Sequence, residues 1–137
     1  MPHHYSAIDD AVFVSRQLQP ADVADLASQG FAWLVNHRPD DEEPGQPSAQ
    51  EVSDAASNAG LRVVHAPVRG LPDADAVAAT ARVLAELKPG EKVLMFCRSG
   101  MRSSAAWAMA RALEGVPADE LRAKAAAAGY DLSRVPL

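Results

Sequence analysis

The single cysteine of this 137-residue chain stands in a setting that suits a reactive thiol. It follows the apolar residues 93–96 and opens the run Cys97-Arg98-Ser99-Gly100-Met101-Arg102-Ser103. A strand brings its last side chain to the edge of a sheet, a short glycine-containing turn exposes backbone N–H groups, and the start of the next helix adds partial positive charge. Each effect lowers the pKa of a thiol and stabilises an anion beside it. The pattern predicts a thiolate nucleophile that acts on an anionic substrate.

The elements that must position this loop are short apolar runs that alternate with helical stretches, a pattern typical of a largely parallel sheet. Strands are predicted at 11–14, 31–36, 61–66 and 92–96. Helices are predicted at 20–29, 48–59, 73–87, 103–114 and 117–128. Ser48 and Glu51 form a capping box, and Asp73 is a good N-cap. The chain is therefore predicted to be a single α/β domain, 1–137, with helices on both faces of a mostly parallel, four- or five-stranded sheet.

Several residues at the ends of other strands could belong to the site or could be structural. Arg38 follows the predicted strand 31–36, at the edge where α/β sheets place ligands. It is a candidate second anion ligand, and pairing with Asp40 or Glu42 is the alternative. His65 ends the neighbouring strand and is either a thiolate partner or, more simply, a structural histidine. The acidic run 40–43 is expected to be a solvated loop, or else to cover the pocket. Trp107 is expected to pack in the core.

Composition bounds the function. The chain is 48% hydrophobic and 23% charged, as in ordinary globular proteins, and its net charge of −5 argues against nucleic acid as a partner. We find no apolar run near the roughly 20 residues that span a membrane, and no signal-peptide pattern at the start. A lone cysteine excludes an internal disulfide, and a free reactive thiol favours the cytoplasm. His3 and His4 lack companion ligands, so neither a metal site nor a cofactor is expected.

The loop and its surroundings resemble a known bacterial family. A strand, a cysteine, a glycine-containing loop, an arginine, a serine and a helix form the active loop of cysteine-dependent phosphatases and of rhodanese-type sulfurtransferases. With the segments 35–40 and 65–68 and with Trp107, residues 6 to 115 resemble a family described as phosphatase-like or sulfurtransferase-like. That domain also occurs fused to a metallo-β-lactamase-type persulfide dioxygenase, which suggests a functional link to such an enzyme. The resemblance implies a small fold like that of the dual-specificity phosphatases.

The spacing within the loop separates two chemistries. Tyrosine-phosphatase loops have five residues between cysteine and arginine, whereas four separate Cys97 from Arg102, as in rhodanese loops. The shorter loop favours a sulfane sulfur over a phosphoryl group, so sulfur transfer is the leading hypothesis. Cys97 would take sulfur from thiosulfate or a persulfide and pass it to an acceptor thiol. Arg102, which matches the family arginine, would hold the anion. Ser103 would donate a hydrogen bond to the thiolate, cap the next helix, or do both.

Two alternatives remain from the sequence. In a phosphatase, Cys97 would form a phosphocysteine, and Asp73, or failing that Asp75, would protonate the leaving oxygen. In a non-catalytic module, the same loop would bind an anion or a persulfidated partner. The candidate catalytic residues are Cys97, Arg102 and Asp73. The candidate anion-binding residues are Arg98, Ser99, Gly100, Met101, Arg102, Ser103 and Arg38.

Overall fold

A computed structural model describes residues 5–137 of the chain, so His3 and His4 lie outside the described residues. The strands are β1 Tyr5–Ala7, β2 Val12–Ser15, β3 Phe31–Asn36, β4 Arg62–His65 and β5 Lys92–Phe96. The α-helices are α1 Pro20–Ala24, α2 Ala49–Asn58, α3 Ala74–Glu86, α4 Met101–Leu113 and α5 Ala118–Ala127, and a 3₁₀ turn covers Ala27–Gln29. Within these residues, no helix is both long enough and apolar enough to cross a bilayer.

The strands form one five-stranded sheet in the order β1-β2-β5-β3-β4. β1 pairs antiparallel with β2, and the other neighbours are parallel. The prediction of a mostly parallel sheet is therefore confirmed, with five strands. β5 occupies the centre and has β3 beside it, so residues that follow these two strands emerge side by side at the same edge of the sheet.

Side chains that alternate along the strands bury both faces of the sheet, because successive residues of a strand point to opposite sides. In β5, Val93 and Met95 join the core beneath α3, α4 and α5, whereas Leu94 and Phe96 join the core beneath α1 and α2. All four side chains are fully buried. The sheet is thus the middle of three layers, as predicted.

The differences from the predicted elements concern their ends and one edge. The predicted helix 20–29 stops as an α-helix at Ala24, before the short 3₁₀ turn. β1 was not predicted, because it has three residues and two of them are exposed, so no alternation of apolar residues marks it. Ser48 and Glu51 form the predicted capping box, and Asp73 caps α3 as predicted. The helix after the cysteine begins at Met101, two residues before the predicted start.

Candidate active site

Cys97 follows directly after β5, in the middle of the sheet, and is fully buried. Its backbone N–H donates to the carbonyl of Ser15 at 3.4 Å, which continues the pairing of β5 with β2 beyond the strand. On the other side, the N–H of His37 donates to the carbonyl of Phe96 at 2.8 Å. Backbone hydrogen bonds from both neighbouring strands therefore hold the residue that carries the sulfur.

The loop turns sharply into α4 at Gly100, which is the N-cap residue with φ 98°. This left-handed conformation is accessible to glycine at little cost. The turn directs the Gly100 N–H at Cys97 Sγ, 3.1 Å away. The sulfur thus lies beside the first turn of a 13-residue helix, where unpaired N–H groups and the helix dipole stabilise negative charge. Met101 opens that helix, and its N–H donates to Ser99 Oγ at 3.3 Å instead.

Arg102 lies between an acidic loop and the cysteine. Its Nη1 and Nη2 donate to the two carboxylate oxygens of Glu42, each at 2.8 Å, and Nη1 also donates to the carbonyl of Val68 at 2.7 Å. The hydrogen bonds to Glu42 raise the pKa of Arg102, partial burial opposes them, and the Cys97 thiolate raises it further. Arg102 is therefore a permanent cation near the sulfur, and its role as the anion ligand stays a prediction.

Glu42 is the residue that orients Arg102. It lies in the run 40–43, whose four residues are all exposed, as expected of a solvated loop. The Glu42 side chain is 23% exposed and accepts hydrogen bonds from Arg102 and from Arg38, whose Nε lies 2.9 Å away. The hydrogen bond from Arg102, opposed by partial burial and supported by Arg38, lowers the pKa of Glu42 to about 2. The carboxylate is ionised throughout the neutral range and links two arginines.

Arg38 forms the ion pair that the sequence analysis gave as the alternative to anion binding. The side chain is 1% exposed, and its nitrogens donate to Glu42, to Glu43 at 3.0 Å and to Gln17 at 3.0 Å. A guanidinium with all three nitrogens engaged in this way braces the acidic loop. Arg98, in contrast, is 67% exposed, and its guanidinium forms a long ion pair with Glu43, at 3.7 Å. Arg98 can therefore turn toward an incoming anion at little cost.

A buried chain of hydrogen bonds runs behind the loop. His37 is fully buried, with Nδ1 2.8 Å from Ser103 Oγ and Nε2 2.8 Å from Thr80 Oγ1. The Thr80 hydroxyl donates to the carbonyl of Ala76, so its oxygen must accept the proton of His37 Nε2. Nδ1 is then the acceptor, and the Ser103 hydroxyl donates to it. Burial, followed by the charges of His65 and Arg102, lowers the pKa of His37 to about 3, which keeps the ring neutral.

Both roles predicted for Ser103 are wrong in view of these hydrogen bonds and of the helix cap. The cap of α4 is Gly100, and Ser103 lies within the first helical turn, fully buried. Its hydroxyl proton goes to His37 and not to the Cys97 thiolate. The capping prediction was wrong because the chain turns into the helix at the left-handed Gly100, three residues before Ser103.

Asp73 and Asp75 line one cleft, and none of the residues 97–103 is among those that line it. The cleft has a volume of about 390 Å³ and is lined by His65, Pro67, Asp73 and Asp75 among others. The Asp73 carboxylate caps α3 by accepting from the Ala76 N–H at 2.9 Å. His65 Nε2 donates to the carbonyl of Arg38 at 2.8 Å, which is the structural role expected of it. The link between the cleft and the site is the chain itself: Pro67 lines the cleft, and the next residue, Val68, accepts from Arg102.

Three contacts of this site were not predicted: that of His37 with Ser103, that of Glu42 with Arg102, and that of Tyr130 with the Ser99 carbonyl. Glu42 and Arg102 are 60 positions apart, and His37 and Ser103 are 66 apart, so no local pattern pairs them. The run of acidic residues was the only available signal. Among residues 5–137, no group of three or more histidine, cysteine or acidic side chains is arranged to hold a metal ion.

Comparison with known proteins agrees with this geometry. The family model for the phosphatase-like domain of beta-lactamase hydrolase-like proteins matches residues 5–114. The chain is 33% identical over 130 residues to the beta-lactamase hydrolase-like protein of Xylella fastidiosa strain Temecula1, covering 93% of this chain and 30% of that protein. The corresponding protein of Agrobacterium fabrum is 34% identical over 110 residues, covering 79% of this chain and 25% of its own length. The chain thus spans less than a third of these relatives.

Solved structures show the same fold. The chain is 30% identical to a candidate phosphatase from Neisseria meningitidis Z2491, with a TM-score of 0.81 over 96% of this chain and 93% of that one. PTPMT1 superposes with a TM-score of 0.74 at 16% identity, over 96% of this chain and 85% of that one, and shows the fold alone. The predicted resemblance is confirmed: this chain belongs to the family of phosphatase-like domains found in beta-lactamase hydrolase-like proteins.

Proposed function

We propose that this domain hydrolyses phosphoric monoesters through a phosphocysteine on Cys97. The observation that carries the proposal is the surroundings of the Cys97 sulfur, which accepts a hydrogen bond from the Gly100 N–H at 3.1 Å and has Arg102 nearby. Family membership and phosphatase-like solved neighbours support this chemistry over sulfur transfer. The order of the two hypotheses in the sequence analysis is therefore reversed, because the spacing within the loop is the only feature that favoured sulfur.

The reaction would proceed in two displacements. The Cys97 thiolate attacks phosphorus, the bond from phosphorus to the ester oxygen breaks, and that oxygen leaves as an alcohol after it takes a proton. Water then attacks the phosphocysteine, and orthophosphate leaves as the thiolate returns. The N–H groups at the start of α4 would stabilise the negative charge that builds on the equatorial oxygens. Arg102 would join them after it exchanges the Glu42 carboxylate for the phosphoryl group. Arg98, which is exposed, would be free to contact the substrate at the mouth of the site.

A proton donor for the leaving oxygen must come from outside the loop. Glu42 is unsuitable, because its pKa of about 2 leaves no proton to give at neutral pH. Asp73 is the better choice, since it shares a cleft with Pro67, and Pro67 precedes Val68, which accepts a hydrogen bond from Arg102. Its carboxylate already accepts the Ala76 N–H through one oxygen, Oδ1. The second oxygen is the one that would carry and deliver the proton.

The test is hydrolysis of p-nitrophenyl phosphate by the purified domain and three variants. Cys97→Ser should abolish turnover. Asp73→Asn should lower kcat by about 10²–10⁴-fold yet keep the fold, because asparagine caps a helix as well as aspartate does. Asp75→Asn is the matched control: it removes a carboxyl from the same cleft and should leave kcat near the original value. Full activity in Cys97→Ser would refute the mechanism, and equal effects of the two aspartate variants would refute the role of Asp73.

Sulfur transfer remains a second candidate on one specific observation, the four-residue interval between Cys97 and Arg102. In that reaction the thiolate attacks the outer sulfur of thiosulfate, the S–S bond breaks, and sulfite leaves. An acceptor thiolate then removes the bound sulfur. Incubation with thiosulfate or glutathione persulfide, followed by mass spectrometry, tests it: one added sulfur on Cys97 without phosphate-ester turnover would replace the first proposal. Binding of phosphate with neither reaction would indicate a non-catalytic anion-binding module.

The partners of this domain follow from its small, anion-binding site. We propose a small phosphorylated or persulfidated molecule as the ligand. The relatives are more than three times as long as their matched region, and they are named for a beta-lactamase hydrolase-like protein. A link to a persulfide dioxygenase of that fold therefore stays a proposal, which co-purification with such an enzyme from the native host would test.

A further inference from the structure

Tyr130 reaches the Cys97 loop from the far end of the chain. It lies just after α5, outside the segment 5–114 that the family model matches. Its hydroxyl donates to the carbonyl oxygen of Ser99 at 3.2 Å. No expectation drawn from the sequence involved this residue, and the reaction described above does not use it.

The backbone around Tyr130 is anchored. The Tyr130 N–H donates to the carbonyl of Ala125 at 2.8 Å, and the Gly129 N–H donates to that of Ala126 at 3.0 Å. With Gly129 at φ 98°, this is the Schellman pattern that ends many helices. The aromatic ring packs against the core below α4 and α5. The hydroxyl is therefore presented from a fixed frame, not from a free tail.

The acceptor of this hydrogen bond and the donor to the sulfur belong to one peptide unit. The carbonyl of Ser99 and the N–H of Gly100 flank the same C–N bond, which is trans, as all described peptide bonds are. In a trans peptide the C=O and the N–H point in opposite directions within one plane. Tyr130 holds the oxygen at one side, and the hydrogen at the other side points at Cys97 Sγ, 3.1 Å from the nitrogen.

We propose that Tyr130 is a positioning residue of the site: by binding the Ser99 carbonyl, it orients the Gly100 N–H toward the Cys97 sulfur and strengthens that donor. A hydrogen bond accepted by a carbonyl polarises its peptide and makes the N–H a better donor. The inference rests on the Cys97 thiolate of the proposed function, and it holds whether the thiolate carries phosphate or sulfur.

The closeness of Tyr130 also explains why residue 100 has no side chain. A Cβ placed on Gly100 would overlap the Tyr130 hydroxyl and lie 2.8 Å from its Cζ. The left-handed φ already favours glycine there, and the phenol removes the remaining space. The negative charge of the Cys97 thiolate raises the pKa of both Arg102 and Tyr130. Burial and that charge raise the pKa of Tyr130, so the phenol stays protonated and able to donate.

The test measures the thiol pKa of Cys97 with no substrate present. Because the chain has one cysteine, the ultraviolet absorbance of the thiolate can be followed against pH and corrected with the matching Cys97→Ser protein. Tyr130→Phe should raise the pKa of Cys97 by about half a unit, a threefold loss of thiolate at pH values below that pKa, because one long hydrogen bond acts through one peptide. Tyr5→Phe is the matched control, since Tyr5 bonds to Gln29 and should leave the pKa of Cys97 unchanged.

A second measurement covers the case in which Tyr130→Phe does not fold. The chain has two tyrosines, so 3-fluorotyrosine incorporated in the Tyr5→Phe background labels Tyr130 alone. Fluorination makes the phenol a stronger donor and should lower the pKa of Cys97. An unchanged pKa in a folded Tyr130→Phe protein, an equal rise in Tyr5→Phe, or no fall on fluorination would each overturn the proposal. Failure to hydrolyse phosphate esters would leave these readings unaffected and would bear only on the proposed function.

Discussion

The buried histidine behind the loop should make this domain sensitive to mild acid. His37 is fully buried between Ser103 and Thr80, and its pKa is lowered from 6.5 to about 3. Protonation would place a second donor opposite the Ser103 hydroxyl proton and a charge in the core. The unfolded chain pays neither cost and takes up the proton near pH 6.5.

The sign and size follow from proton linkage. Between about pH 6.5 and 3 the unfolded state binds one more proton than the folded state, so stability falls as the pH falls. From pH 7 to pH 5, a histidine with these two pKa values removes about 2 kcal/mol from the free energy of unfolding. Glu42 does not contribute in this interval, because its own proton uptake lies below pH 4.5.

Urea denaturation at pH 7, 6 and 5 measures the effect. With an m-value of about 2 kcal/mol/M, the midpoint should fall by about 1 M over this range. His37→Gln lowers the stability at every pH, since it disrupts buried hydrogen bonds, but should remove most of the slope. His65→Gln is the control that should keep the slope, and histidines 3 and 4 are common to every protein compared. A flat midpoint from pH 7 to 5, or an undiminished slope in His37→Gln, would refute the reasoning.

Three further predictions concern the site and its support. Glu42→Gln should lower the free energy of unfolding by about 1–2 kcal/mol in urea denaturation, a contribution that is present above pH 4.5 and lost toward pH 2. The control Glu114→Gln, in an exposed pair, should cost less than about 0.5 kcal/mol, and equal costs would contradict the bridging role of Glu42. Gly115→Ala should cost about 1 kcal/mol, because alanine is strained at a positive φ. Gly100→Ala should cost more, because its new Cβ would also overlap the Tyr130 side chain, and a reversed order would count against that contact. Trp107→Phe should lower the free energy of unfolding by about 2–3 kcal/mol, because the buried Trp107 donates through Nε1 to the Asp9 carboxylate at 2.7 Å. A loss under about 0.5 kcal/mol would show that this hydrogen bond is absent in solution.

The strands that position the cysteine could be read from the chain with correct bounds. β3 and β5 were predicted residue for residue, because each contains an apolar run, residues 31–35 and 93–96, of the kind found in strands that are buried on both faces. The capping box at Ser48 and the cap at Asp73 are likewise contacts within four residues. Local chemistry decides such features, so a sequence displays them. β1 escaped prediction because its pairing with β2, not its composition, makes it a strand.

The sequence also displays a lone cysteine between a buried strand and a basic, glycine-containing turn, the pattern on which the predicted chemistry rests. The side chains that contact Arg102 and the loop could not be predicted from the sequence. Glu42, the carboxylate partner of Arg102, is 60 positions from it. His37, which accepts the hydrogen bond of Ser103, is 66 positions from that serine, and Tyr130, which binds the loop carbonyl, is 31 positions from Ser99. The sequence determined that a lone cysteine stands between a buried strand and the start of a helix, and this pattern predicts a nucleophile. Only the tertiary structure decided which groups surround it, because contacts between distant residues depend on how β3, β5 and the two helix layers meet.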